Sequence, residues 1–123
     1  MENLIIRSFT TKWEDCDYTT YILEKGMEGV AACIVNYYGD KKKQAYLWNL
    51  QVREEYRKCG IARQLIDMVC KYAKIRGCKE ISLEWEAKES DGWVLDWYKR
   101  LGFKADFEEK DTPFSITLMK KLK

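Results

Sequence analysis

A mixed α+β fold, a mostly antiparallel sheet interrupted by one parallel strand-helix-strand unit, follows from three observations in the sequence. Apolar residues alternate at period two through most of residues 3–52, recur at steps of three and four between residues 61 and 76, and alternate again from residue 78. Gly60 and Gly77 mark the two changes of period. A strand, a helix and a strand in that order cross over right-handed and lie parallel, whereas the short connections elsewhere join antiparallel neighbours.

The elements follow in order. Residues 3–9, NLIIRSF, form a first strand, and TTKWEDCD after it is a polar connection with room for one turn of helix at most. Residues 18–38 are rich in β-branched and aromatic side chains and fold as a hairpin around Gly26 and Gly29. GDKKKQ at 39–44 is a second turn whose three lysines form a solvated tip, with steering of an anionic ligand as the alternative. The next strand, AYLWNLQV at 45–52, places Tyr46, Trp48, Leu50 and Val52 on one face and Leu47, Asn49 and Gln51 on the other. From Ile61 a helix of about four turns buries Ala62, Leu65, Ile66, Val69 and Ala73 and turns Arg63, Gln64, Asp67, Lys71 and Lys74 outward. CKEISLEWE is a strand with Ile81, Leu83 and Trp85 opposite Ser82, Glu84 and Glu86. A short helix in SDGWVLDWYKRLGF starts at a Ser90 or Asp91 cap and stops at Gly102. Two last strands, about 103–108 and 114–121, meet at a turn containing Asp111 and Pro113.

Composition narrows the function. A chain of 123 residues supports a single core, so 1–123 is expected to be one domain. Its 22 basic and 20 acidic side chains leave a net charge of +2, which argues against nucleic acid as a partner. The longest apolar run, GVAACIV, is too short to cross a bilayer, and MENLIIRS has neither the basic start nor the apolar stretch of a signal peptide. No membrane association and a cytoplasmic location are therefore expected. Five cysteines without a CxxC pair give neither a disulfide framework nor a metal site. The chain holds no histidine, which removes Ser-His-Asp and Cys-His nucleophilic systems and leaves proton transfer to carboxylates, Tyr, Lys or Cys.

The chemistry concentrates in VREEYRKCGIARQLI, residues 52–66, where a strand gives way to the long helix. A helix N-terminus exposes unpaired amides and a partial positive charge, and a glycine there lets a phosphate approach the backbone. The pattern is Arg57, two residues, Gly60, one residue, Ala62; neither GxxxxGK[ST] nor GxGxxG is present. Together with WYKRLGF downstream, these residues make the chain resemble the GNAT superfamily of N-acetyltransferases over about residues 45–122. The family carries this turn as its acetyl-CoA pyrophosphate loop.

The resemblance implies a GNAT-like acyl-CoA N-acyltransferase fold and acetyl-CoA as co-substrate, with no metal. The loop 57–62, chiefly the amides of Lys58, Gly60, Ile61 and Ala62, with Arg57, Cys59 and Arg63 beside them, would hold the pyrophosphate. The main chain of Leu50, Gln51 and Val52 would pair with the pantetheine arm. Tyr98 matches the tyrosine that protonates the departing thiolate, and Glu84, after Leu83, matches a carboxylate that some members use as base; Glu86 is the alternate. Tyr46 stands where other members place a glutamate. An asparagine common before the last helix is missing, and Ser90 or Asp91 takes its place. The family's two helices between the first strands are also missing. The acceptor groove is then either open, suiting a small-molecule, peptide or protein amine, or walled by a second subunit in a homodimer. Trp48, Trp85, Trp93 and Trp97 are candidates for lining it, with core packing as the alternative. The implied activity is acetyl transfer to a primary amine by direct attack; the competing one is a CoA-binding or protein-interaction module on the same fold with little catalysis.

Overall fold

The computed structural model describes residues 4–86, 92–105 and 115–123. The expected cap at Ser90 or Asp91, the turn at Asp111 and Pro113 and the near parts of the last two strands lie outside the described residues. Seven strands form one sheet in the order β1 (Leu4–Lys12), β2 (Cys16–Lys25), β3 (Glu28–Tyr38), β4 (Gln44–Val52), β5 (Glu80–Glu86), β7 (Ser115–Lys121), β6 (Lys104–Ala105). Among the described residues only β4 and β5 pair in parallel, joined by helix α1 (Ile61–Arg76), and the other pairs are antiparallel. Helix α2 (Gly92–Arg100) links β5 to β6. No helix among the described residues is long and apolar enough to cross a membrane.

Helix α1 begins and ends as its glycines dictate. Gly60 and Gly77 both adopt left-handed backbone (φ 78° and 105°). At the C-terminal end the Cys78 amide donates to the Ala73 carbonyl and the Gly77 amide to that of Lys74, which satisfies carbonyls the helix leaves open. The buried stripe is Ile61, Leu65, Ile66, Val69, Cys70 and Ala73, and it packs on β3, β4 and β5. Helix α2 reaches the same side of the sheet. Its Leu95, Trp97 and Tyr98, with Leu101 just after it, pack against the core, and the Tyr98 ring stands edge-on to buried Phe103, itself beneath Lys120 of β7.

One sheet face is therefore sealed. Leu23, Val35, Leu47, Ile81, Leu83 and Leu118 are almost wholly buried there. The other face carries Phe9, Tyr18, Ile22, Ile34, Tyr38, Tyr46, Trp48 and Glu84, and no helix among the described residues covers it. Polar groups on the sealed face are paired. The buried Asp17 carboxylate accepts hydrogen bonds from Lys42 Nζ (2.8 Å) and from Arg76 of α1, and Lys42 also donates to the Trp13 carbonyl (2.6 Å). Arg76 in turn lies over the Tyr37 ring, 4.2 Å from its centroid. These bonds tie the turn at 13–15, the turn at 39–43 and the end of α1 to one carboxylate.

Two expectations need correction. TTKWEDCD is not a polar connection between separate strands: β1 runs on to Lys12, β2 starts at Cys16, and the two form a direct hairpin with Trp13 N–H bonded to Cys16 C=O. Thr10 and Thr11 suit a strand, and the Thr10 hydroxyl meets that of Thr19 across the pair at 3.0 Å. The faces of β4 also differ from simple alternation. Asn49 takes left-handed backbone (φ 56°), and between Ile34↔Trp48 and Ala32↔Gln51 the pairing with β3 slips by one residue. This β-bulge moves Leu50 and Val52 to the core side with Ala45 and Leu47, and leaves Tyr46 and Trp48 on the open side.

Candidate active site

The parallel pair is short. β4 and β5 are in register only at Ala45↔Ile81 and Tyr46↔Ser82, where the Ser82 hydroxyl also donates to the Ala45 carbonyl (3.4 Å). Beyond Tyr46 the strands part, so the edge of β4 from Leu47 to Val52 that faces β5 has no strand partner among the described residues. On its other edge Gln51 and Val52 remain held by Ala32 and Ala31 of β3. The bulge at Asn49 lies inside this opening, and the Gln51 side-chain amide donates to the Asn49 side-chain oxygen (2.9 Å).

β4 then leads through a single 3-10 turn, Glu54–Tyr56, to α1. Arg53 anchors the turn by donating its backbone N–H to Val30 C=O and its Nε to Gly29 C=O (2.6 Å). Arg57 Nε donates back to Val52 C=O (3.2 Å), which folds the loop over the end of β4. Lys58 and Gly60 both have positive φ. The first helical hydrogen bond runs from Gln64 N–H to Gly60 C=O, so the amides of Ile61, Ala62 and Arg63 have no acceptor within the helix. Gly60 supplies no side-chain cap, and the first turn contains no acidic residue. A Cβ built on Gly60 meets no protein atom within 4 Å. The left-handed φ therefore accounts for the glycine, and the space above it is open to a ligand. An uncapped N-terminus with its partial positive charge and basic neighbours Arg57, Lys58 and Arg63 favours a phosphate anion. Cys59 is exposed on the same loop and donates weakly to the Arg57 carbonyl.

The two expected proton-transfer residues lie on opposite faces of the sheet. Tyr98 lies on the sealed side; burial, then the proximity of Cys33, pushes its phenol pKa up, so it keeps its proton at neutral pH. Glu84 is exposed on the open face, where its electrostatic neighbour is Tyr46. Burial, then Glu84, Glu86 and Tyr38, pushes the Tyr46 phenol pKa up as well. The four tryptophans do not converge. Trp85 and Trp97 pack against the core, Trp93 is exposed on α2, and only Trp48 stands on the open face, donating its Nε1 to the Asn36 side chain at 2.9 Å. Ser90 lies outside the described residues. Asn49, Tyr38 and Asn36 were missed by sequence reasoning. For Asn49 a signal existed, since Asn is one of the few side chains that tolerates left-handed backbone.

An open mixed sheet with a parting parallel pair beside an uncapped helix is the GNAT acyl-CoA N-acyltransferase architecture, and solved structures agree. The ribosomal-protein-S18-alanine N-acetyltransferase from Escherichia coli superposes with a TM-score of 0.76 at 18% identity, covering 98% of this chain and 94% of that one. A GNAT family acetyltransferase from Elizabethkingia anophelis, solved with acetyl-CoA bound, also gives 0.76 at 18% identity, over 99% of this chain and 100% of that one. The family profile described as Acetyltransferase (GNAT) family matches residues 2–103, and the chain belongs to that family. An uncharacterized N-acetyltransferase of Methanocaldococcus jannaschii is 35% identical over 85 residues, 68% of this chain and 35% of its own length. N-alpha-acetyltransferase 30 of Saccharomyces cerevisiae is 26% identical over 103 residues, 80% of this chain and 57% of its own. The chain thus spans between about a third and somewhat over half of these two relatives.

Proposed function

We propose that this chain is an N-acetyltransferase that moves an acetyl group from acetyl-CoA to a primary amine by direct attack. The observation that carries the proposal is a juxtaposition: the unpaired edge of β4 ends, within one short turn, at an uncapped helix N-terminus with open space above Gly60. Acetyl-CoA brings a thioester, an acyl group on a thiol whose pKa is about 8.5. The amides of Lys58, Cys59, Gly60, Ile61 and Ala62, with Arg57 and Arg63, hold its pyrophosphate. The main chain of Leu50, Gln51 and Val52 bonds the pantetheine arm as an absent strand partner would, and fixes the carbonyl for attack. Tyr98 retains its proton and donates it to the leaving sulfur.

The amine arrives on the open face, where Glu84, or Glu86 on the same face, takes the proton that an ammonium must lose before it can attack. That face has no helix among the described residues across it, which fits an extended acceptor such as a peptide or protein N-terminus. Two of the relatives, N-alpha-acetyltransferase 30 and the ribosomal-protein-S18-alanine enzyme, bear names of that kind. One observation favours a second reading, a CoA-binding module with little turnover: Glu84 is exposed and no hydrogen bond among the described residues holds it in place.

Thermal melting with and without acetyl-CoA tests the first step. At about a hundred times its dissociation constant the ligand should add about 2.7 kcal/mol of stability; an unchanged melting temperature defeats the proposal. Thiol release across an amine panel tests the second. Tyr98→Phe should lower the rate by about a hundredfold with acetyl-CoA binding retained. Equal rates remove Tyr98 from the mechanism, and no turnover with any amine selects the binding module.

A further inference from the structure

We propose that the cleft between α1 and the β6–β7 edge of the sheet is a docking site for an acidic, amphipathic polypeptide segment of a partner protein. The cleft has a volume of about 920 Å³. Its cationic lining is six lysines: Lys71 and Lys74 from α1, Lys104 from β6, and Lys120, Lys121 and Lys123 from β7 and the residues after it. Among the described residues no carboxylate side chain lines it, and none of the ion pairs they form uses one of these lysines. The whole chain carries a net charge of only +2, so six of its 22 cations in one lining are a local excess; Asp67, near Cys70, and Glu80, opposite Lys121 on β5, stand outside that lining. Like charges held this close repel one another, and an anionic occupant removes that cost.

The floor decides what kind of anion. Cys70, Ala105, Met119 and Leu122 give the cleft an apolar base beneath its charged rim, the arrangement of a protein–protein contact. Lys120 reinforces the rim, its ammonium standing 6.0 Å from the Phe103 ring centroid. A single-stranded nucleic acid would need aromatic faces on which bases stack and would favour arginine forks on its phosphates; the cleft has neither an aromatic side chain nor an arginine. A peptide that alternates carboxylates with aliphatic side chains satisfies rim and floor together. The site is separate from acyl transfer. Lys71 lies ten residues along α1 from Ile61, about 15 Å at helical rise, so the proposal stands whether or not the acyl-transfer reading does.

Fluorescence anisotropy with a labelled short peptide of alternating Glu and Leu tests it on the whole chain. The peptide should bind, and Lys71→Glu/Lys74→Glu should weaken binding by about tenfold or more, while the matched control Lys12→Glu/Lys41→Glu leaves it unchanged. Melting curves of both variants establish that they are folded. On the unaltered protein, a peptide of equal charge with Ser in place of Leu should bind several-fold more weakly. Absence of binding, equal losses in the two variants, equal binding of the Ser peptide, or tighter binding of a single-stranded RNA through the same lysines would each overturn the assignment.

Discussion

The sealed and the open face of the sheet are built from the same strands but answer to different constraints. On the sealed face Leu23, Val35, Leu47 and Leu83 are closed off by α1 and α2, and the polar group there, Asp17, has its charge matched by two cations. On the open face Phe9, Tyr18, Tyr38 and Trp48 keep between 37% and 61% of their surface in contact with solvent. The groups left open beside the sealed side are backbone: the bulge at Asn49, the β4 edge and the amides of α1. Those of the open side are side chains with little to hold them. Under the proposed function, the difference teaches that the donor end of the site would be fixed by the fold itself, whereas the acceptor end could vary in side-chain identity at small cost to folding.

Substitutions on the two faces should separate accordingly. Leu65→Ala, at a wholly buried position of α1, should cost about 2–5 kcal/mol of stability in urea denaturation. A loss under about 1 kcal/mol would mean that the helix is less tightly packed than its burial indicates. Asp17→Asn should come next, at about 1–3 kcal/mol near neutral pH, because Lys42 and Arg76 lose their partner but keep some access to water. The hydrogen bond from Lys42, with that from Arg76, holds the Asp17 carboxyl below the usual range against the opposing effect of burial. A depressed folded-state value stabilises the protein above the unfolded value of about 3.9. That contribution disappears as pH falls through the folded value. Stability curves of the two proteins should therefore converge in acid, and a gap independent of pH would show that Asp17 acts through packing alone.

Trp48→Ala on the open face should shift stability by about 0.5 kcal/mol or less, the loss of one exposed ring and its bond to Asn36. Its effect belongs in acceptor kinetics, as a KM for the amine raised several-fold with acetyl-CoA binding unchanged. A large stability loss with unaltered kinetics would reverse the distinction between the faces.

Much of this organisation was legible in the residues. The long helix, its glycine boundaries, the alternation of β5 and the parallel crossover all rest on local pattern, and local pattern is what periodicity records. The phrase RKCGIAR located the junction correctly because Gly60 and the helix start lie next to each other in sequence. The phase of β4 was not legible from alternation, since one residue in left-handed backbone shifts every side chain after it to the other face. Nor was the long β1 hairpin, because threonines and lysines suit a strand edge and a loop equally well.

What the sequence alone determined is where the long helix begins and ends and which chemistry each stretch can carry, since caps, periods and side-chain types act over a few neighbouring residues. Tertiary structure alone decided that Tyr98 and Glu84 fall on opposite faces of the sheet, that Tyr46 joins Glu84 rather than the core, and that lysines from position 71 to position 123 meet around one cleft. Those relations depend on strand order and register, which are set by burial of the whole sheet face and have no signature within any single stretch of chain.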